Sequence, residues 1–115
     1  MGKRTWFKVY GDKWLEGTLR EETPEFRGIW IDLLSLVCSS PNSDTGQVTL
    51  KNGIGYTDEQ IATIFNIPLD AWERAKKRLI QTDRIQVSLK NTITITNWSK
   101  YQSDYQRQKP YRQDE

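Results

Sequence analysis

The spacing of apolar residues marks three helical stretches and then a stretch that alternates. Phe26, Ile29, Trp30, Leu33, Leu34 and Val37 recur at i, i+3, i+4, i+7, i+8 and i+11, the stripe of an amphipathic helix. Ile31, Leu36 and Cys38 widen that stripe, so this helix is expected to be central and buried. Its start is legible in Thr23-Pro24-Glu25. Thr is a favoured N-cap, Pro suits the first helical position, and Glu complements the positive end of the helix dipole. Ser39-Ser40-Pro41-Asn42-Ser43-Asp44 closes the helix in a loop, and Gln47–Leu50 reads as a short strand.

A second helix opens at Thr57, where Thr57 and Gln60 have the spacing of a capping box and Asp58 and Glu59 fill the first turn. Ile61, Ala62, Ile64 and Phe65 are its expected inner face. Asn66-Ile67-Pro68 breaks it, because proline disfavours helical backbone in the preceding residue. A third helix is predicted over Leu69–Gln81. Trp72, Ala75, Leu79 and Ile80 fall on its inner side with Lys76 at the border. Asp70, Arg74, Lys77 and Gln81 fall on its outer side, flanked by Arg78.

The period then changes to 2. Ile85, Val87, Leu89, Ile93 and Ile95 alternate with polar residues, which predicts a hairpin. A three-residue turn of Lys90-Asn91-Thr92, with Asn91 left-handed, sets Leu89 opposite Ile93 and Val87 opposite Ile95, with every apolar side chain on one face. Trp98, Tyr101 and Tyr105 line one side of a short C-terminal helix that Pro110 stops. Ahead of these elements, Thr5–Tyr10 reads as extended, with a turn at Gly11-Asp12 and a short helix at Lys13–Glu16.

Helix, strand, helix, helix, hairpin is the order of a winged helix-turn-helix: mainly α with a small β-hairpin, in the α+β class. Residues 1–97 form that domain, with an N-terminal extension over 1–22. Residues 98–115 form the C-terminal helix and a frayed tail.

At 115 residues the chain is one domain, able to bury a core without disulfides or a metal. Its single Cys38 lies in an apolar run and is expected to be a buried, inert thiol. No signal region, membrane-length run or myristoylation signal is present, which points to the cytosol and away from membranes. The net charge of +2 is unevenly spread: residues 1–20 carry +3, residues 21–69 carry −5 and residues 70–115 carry +4. One basic and one acidic face are expected, and an anionic partner would meet the first. With no His, one Cys and no Gly-rich phosphate loop, neither catalysis nor a metal or other cofactor is expected.

The candidate chemistry is therefore recognition. A DNA reader needs a helix that carries basic and amide side chains outward, a second helix to brace it, and phosphate contacts to set its register. Arg74, Lys77, Arg78 and Gln81 supply the helix face; Arg suits guanine, Gln suits adenine, and Lys suits phosphate. Lys90 and Asn91 would stand at the wing tip. Arg107 and Lys109, in an aromatic tail, would touch phosphate. That tail has two readings: a stacking platform for single-stranded DNA, or rings packed on the body. Asp70 and Glu73 at the start of the third helix would repel phosphate and argue against deep insertion in the major groove. Two other classes remain open, a dimerisation or recruitment scaffold held by Trp6, Phe7 and the C-terminal helix, and a transcriptional regulator of the same fold.

Several stretches resemble the N-terminal domain of phage replisome organisers and related DnaD-like replication proteins. They are Trp6-Phe7-Lys8-Val9-Tyr10 with Lys13-Trp14-Leu15, Pro24-Glu25-x-Arg27-Gly28-x-Trp30-x-Asp32-Leu33-Leu34, and Gly55-Tyr56-Thr57-Asp58-Glu59-Gln60-Ile61-Ala62. Asn97-Trp98-x-Lys100-Tyr101-Gln102-Ser103 and Gln106-Arg107-Gln108-Lys109-Pro110-Tyr111-Arg112 continue the likeness to the end of the chain. The resemblance implies a winged-helix domain that recognises origin duplex DNA, self-associates as a homo-oligomer and helps recruit helicase-loading proteins. In that family a C-terminal region follows and often carries the loader contacts. Because the chain ends at Glu115, it is expected to be an excised domain or a short stand-alone prophage protein.

Overall fold

The computed structural model describes residues 6–41, 43–50 and 53–98. In chain order these hold α1 (Gly11–Glu16), a 3-10 turn (Thr18–Glu21), α2 (Pro24–Cys38), a second 3-10 turn (Ser43–Thr45), β1 (Gln47–Val48), α3 (Asp58–Phe65), α4 (Leu69–Gln81), β2 (Ile85–Val87) and β3 (Ile93–Ile95). The three strands form one antiparallel sheet in the order β1-β3-β2. The result is an α+β winged-helix-like fold, with α3 and α4 as the helix-turn-helix pair and β2–β3 as the wing.

The starts of α2 and α3 are set by side-chain caps. The Thr23 hydroxyl accepts from the Phe26 amide at 3.1 Å, with Pro24 at the first position of α2. At α3 the capping box is complete: the Gln60 amide donates to Thr57 Oγ1 at 3.1 Å and the Thr57 amide to Gln60 Oε1 at 2.8 Å. Both helices of the pair end at left-handed residues, Asn66 (φ 58°) and Asp83 (φ 60°). There the next amide reaches back over the end, from Ile67 to the Ala62 carbonyl at 3.0 Å and from Arg84 to Leu79 at 2.9 Å. The Asn66 stop turns the chain through Ile67-Pro68 into α4, whose start at Pro68 has no side-chain cap.

The core forms around α2, whose Leu33, Leu34 and Val37 are fully buried. Against it pack Ile61 and Ala62 of α3, Trp72, Ala75 and Leu79 of α4, and Ile85, Ile93 and Ile95 of the wing. Phe65 meets the Trp72 ring edge-on, centroids 5.8 Å apart, and so fastens α3 to α4. Cys38 is buried, and Trp98 closes the core behind the sheet. Gly46 makes that closure fit: its φ is 77°, and a Cβ there would lie 2.8 Å from the Trp98 Cβ.

Four expectations need correction. Ile64 and Ile80 are exposed rather than part of the inner faces. At about 100° per residue each lies roughly a third of a turn from the buried centre of its helix, too far to reach the core. α1 starts at Gly11, in place of the expected turn at Gly11-Asp12 and ahead of the expected Lys13. The hairpin register also differs. Val87 faces Ile93 and Ile85 faces Ile95, so the loop is Leu89-Lys90-Asn91, and Leu89 moves from the buried face to the tip. A three-residue hairpin loop places its left-handed residue last. Asn91 (φ 64°) occupies that last position here, and turn chemistry prevails over the burial of one leucine. The slip is by two in pairing, so Ile85, Val87, Ile93 and Ile95 still share one face.

Candidate nucleic-acid interface

α4 presents an outward strip between two flanks. Ala71, Trp72, Ala75 and Leu79 turn inward and are buried, which leaves Arg74, Lys77 and Gln81 exposed on the far side. Lys76 and Arg78 stand at opposite borders of the buried arc, and each holds a different neighbour.

On the first flank, Lys76 Nζ donates to Asp58 Oδ1 at 3.0 Å and to Asn91 Oδ1 at 2.8 Å, while Trp72 Nε1 donates to the same Asp58 oxygen at 2.9 Å. One ammonium group thus joins the start of α3, the middle of α4 and the wing loop. The Lys76 side chain is only 15% exposed. Burial pushes the Asp58 carboxyl up, but the hydrogen bonds from Trp72 and Lys76 and the Lys76 charge outweigh it and hold the group below its ordinary value.

On the second flank, Arg78 grips Glu22 through two nitrogens, Nε at 3.1 Å and Nη2 at 2.9 Å from its carboxylate oxygens. Arg84 Nη1 lies 3.7 Å from the same carboxylate, and the Arg84 guanidinium sits over the Phe26 ring at 5.7 Å. The Arg78 hydrogen bond is the largest influence on the Glu22 carboxyl; burial opposes it, the charges of Arg78 and Arg84 add to it, and the group is lowered. This flank ties the segment before α2 to the end of α4.

The other predicted site residues fall as follows. Arg74 pairs with Asp70 one turn earlier at 2.9 Å, with both side chains mostly in water. Such a pair contributes little, so Arg74 can turn to a phosphate at small cost. Asp70 is thereby engaged by a cation rather than standing alone at the start of α4. Lys77, Gln81 and Lys90 are exposed, and their side chains have no partner among the described residues. Asn91 turns its side chain inward to Lys76, so Leu89 and Lys90 form the wing tip in its place. The structure thus brings Arg74, Lys77 and Gln81 together on one strip, while Lys90 stands exposed on the wing, whose Asn91 is bonded to Lys76 at the border of the same helix. Arg107 and Lys109, with Tyr101 and Tyr105, lie outside the described residues.

Sequence reasoning missed Asp58, Lys76 and Glu22 as organisers of this surface. Asp58 reads only as a first-turn acid, and its partners are 14 and 18 positions away. Glu22 is 56 positions from Arg78. The exposed Leu89 did leave a signal: Asn91 is the loop's natural left-handed residue, and placing it third sets the loop at 89–91.

No helix of the described residues is long and apolar enough to cross a membrane. Comparison with curated proteins and with solved structures finds no match. The family model of the N-terminal phage replisome organiser matches residues 13–115, which takes in every element from within α1 to the end of the chain, and the protein belongs to that family.

Proposed function

We propose that this domain binds duplex DNA through α4 and the wing, as the DNA-contacting part of a phage replication initiation protein, and that it catalyses no reaction. The observation that carries this reading is the outward strip Arg74–Lys77–Gln81 beside a wing that Lys76 ties to the same helix. Both elements are then presented to one ligand in a set geometry, which lowers the ordering cost of binding. The acids at the start of α4 favour a helix lying along the major groove rather than end-on insertion. Family membership places the domain in replication and so favours this role over transcriptional control. Single-stranded DNA would be a weaker ligand, because the strip carries cations and an amide but no ring for bases to stack on.

Anisotropy titration against labelled duplex and single strand at two salt concentrations tests the proposal. Non-specific duplex binding is expected at a Kd of ~10⁻⁴–10⁻⁶ M near physiological salt, weakening steeply as salt rises. Changing Arg74 and Lys77 together to Glu should abolish binding with the melting temperature nearly unchanged. Wild-type affinity in that variant would refute the site.

A second reading has its own observation. Trp6, Val9, Tyr10 and Leu15 are exposed in the N-terminal segment, and Val9 and Tyr10 line, with Trp14, Trp30 and charged residues such as Lys13 and Glu21, a groove of about 1010 Å³. Several exposed large apolar residues within one short segment are the kind of surface that protein contacts cover. It favours a homo-oligomeric or helicase-loader surface alongside the DNA face. Light scattering on Leu15→Ser, with a fall in mass expected, checks it.

A further inference from the structure

The wing tip carries a side chain that neither the fold nor the strip on α4 uses. Leu89 is 107% exposed and is the wing's one exposed large apolar residue. Its turn, closed by the Asn91 amide on the Ser88 carbonyl at 2.9 Å, does not need a leucine: Leu89 is not among the positive-φ residues and its side chain packs on nothing in the core. The tip is nevertheless stiffly held. The Ser88 hydroxyl accepts from the amides of Lys90 at 3.2 Å and Thr92 at 3.1 Å, and Asn91 is anchored to Lys76. From behind, Gly55 lies so close that a Cβ there would come within 3.1 Å of the Asn91 carbonyl and the Thr92 Cα.

We propose that Leu89 is an apolar wedge for the minor groove of duplex DNA, aimed by the Lys76–Asn91 bond and seated by Lys90 on the adjoining phosphate. This rests on the reading that the domain binds duplex DNA. Three features select DNA over a protein partner. A lone leucine is far short of the roughly 800 Å² per partner that a stable protein interface buries. A single apolar side chain is what minor-groove wedges use to open a base step. The next residue is a lysine with no partner among the described residues, suited to the phosphates beside that groove. Because Lys76 fixes the tip beside α4, insertion would follow from docking of the helix and need little further ordering.

The test uses the whole chain and a 20-base-pair A·T-rich duplex carrying 2-aminopurine at a central TA step, the kind of step that unstacks most easily. Wild type should raise the 2-aminopurine fluorescence on binding. Leu89→Ala should weaken binding about tenfold, the order expected for an apolar side chain leaving its contact. It should also remove the fluorescence rise while leaving the salt slope unchanged. Lys90→Ala should lower the slope by about one ion. Asn91→Gly keeps the left-handed backbone but frees the tip from Lys76; it should reduce the fluorescence rise at saturating protein. A Leu89→Ala protein with wild-type affinity and fluorescence overturns the wedge and leaves DNA binding standing. A Leu89→Ala protein that instead loses a concentration-dependent oligomer assigns the tip to contact between copies, which also overturns it. If wild type binds no duplex, both readings fall together.

Discussion

The two flanks of α4 contain the same chemistry, a cation on a carboxylate, in opposite settings. Lys76 is 15% exposed and bridges three elements, whereas Arg78 is 53% exposed and bridges two. They are two residues apart in a run of basic residues, and a rotation of about 200° separates them. Water competes for the Arg78 guanidinium and screens it, and the sheltered Glu22 carboxylate keeps Arg84 as a second cation, while the Lys76 group has few other ways to satisfy its donors. Sequestered charge of this kind is costly to orphan. The first flank is therefore expected to support the shape of the surface, and the second to modulate its charge. Lysines and arginines that look interchangeable in sequence take different roles because burial, not identity, sets how much each pair matters.

The sharpest break of this comparison is Lys76→Met, which leaves Asp58 half-buried without its cation. A loss of about 1.5–3 kcal/mol is expected, the range for hydrogen bonds to charged groups, measured by urea denaturation. A loss no larger than that for Arg78→Met would erase the distinction between the flanks. Thr57→Ala removes the cap of the helix that presents Asp58 and should cost ~1 kcal/mol by the same assay. A silent change there would mean that packing alone holds the start of α3.

Acid denaturation sharpens the contrast further. Asp58 and Glu22 are both held below their ordinary values. Their contributions are therefore fully present above the unfolded-state values of about 4 and are lost as pH falls through the lower folded values. Asp32 works in the opposite sense, since burial raises it, so its protonation favours the folded state as pH falls. Asp58→Asn should flatten the acid limb of stability against pH relative to wild type. An unchanged limb would show that the Lys76 node carries no pH-dependent stability.

The smallest effect on stability is expected from Glu22→Gln, yet it should act on DNA. Releasing Arg78 and removing a negative charge should tighten duplex binding and steepen the salt slope by about one ion. Unchanged affinity and slope in anisotropy would place Arg78 outside the interface.

Much of this architecture is legible in the residues because its causes are local. Thr23-Pro24 and Thr57-x-x-Gln60 satisfy orphan amides within one turn, and Asn66-Ile67-Pro68 ends α3 by backbone sterics. The bounds of α4 follow from an apolar period that runs its whole length. The outward position of Arg74, Lys77 and Gln81 follows from that same period. Where only one side chain's burial was at stake, as at Ile64, Ile80 and Leu89, pattern was a poor guide, because packing or turn geometry overrode it.

What the sequence by itself determined was the set of elements, their order and the faces of α2 and α4, since caps and periodicity act between residues a few positions apart. Only the tertiary structure decided that Lys76 would meet Asp58 and Asn91, that Arg78 would meet Glu22, and that Leu89 would stand at the wing tip. Those partners come from separate elements, and the choice among cations of one helix depends on which carboxylate the folded core carries to within reach and how far it shuts out water.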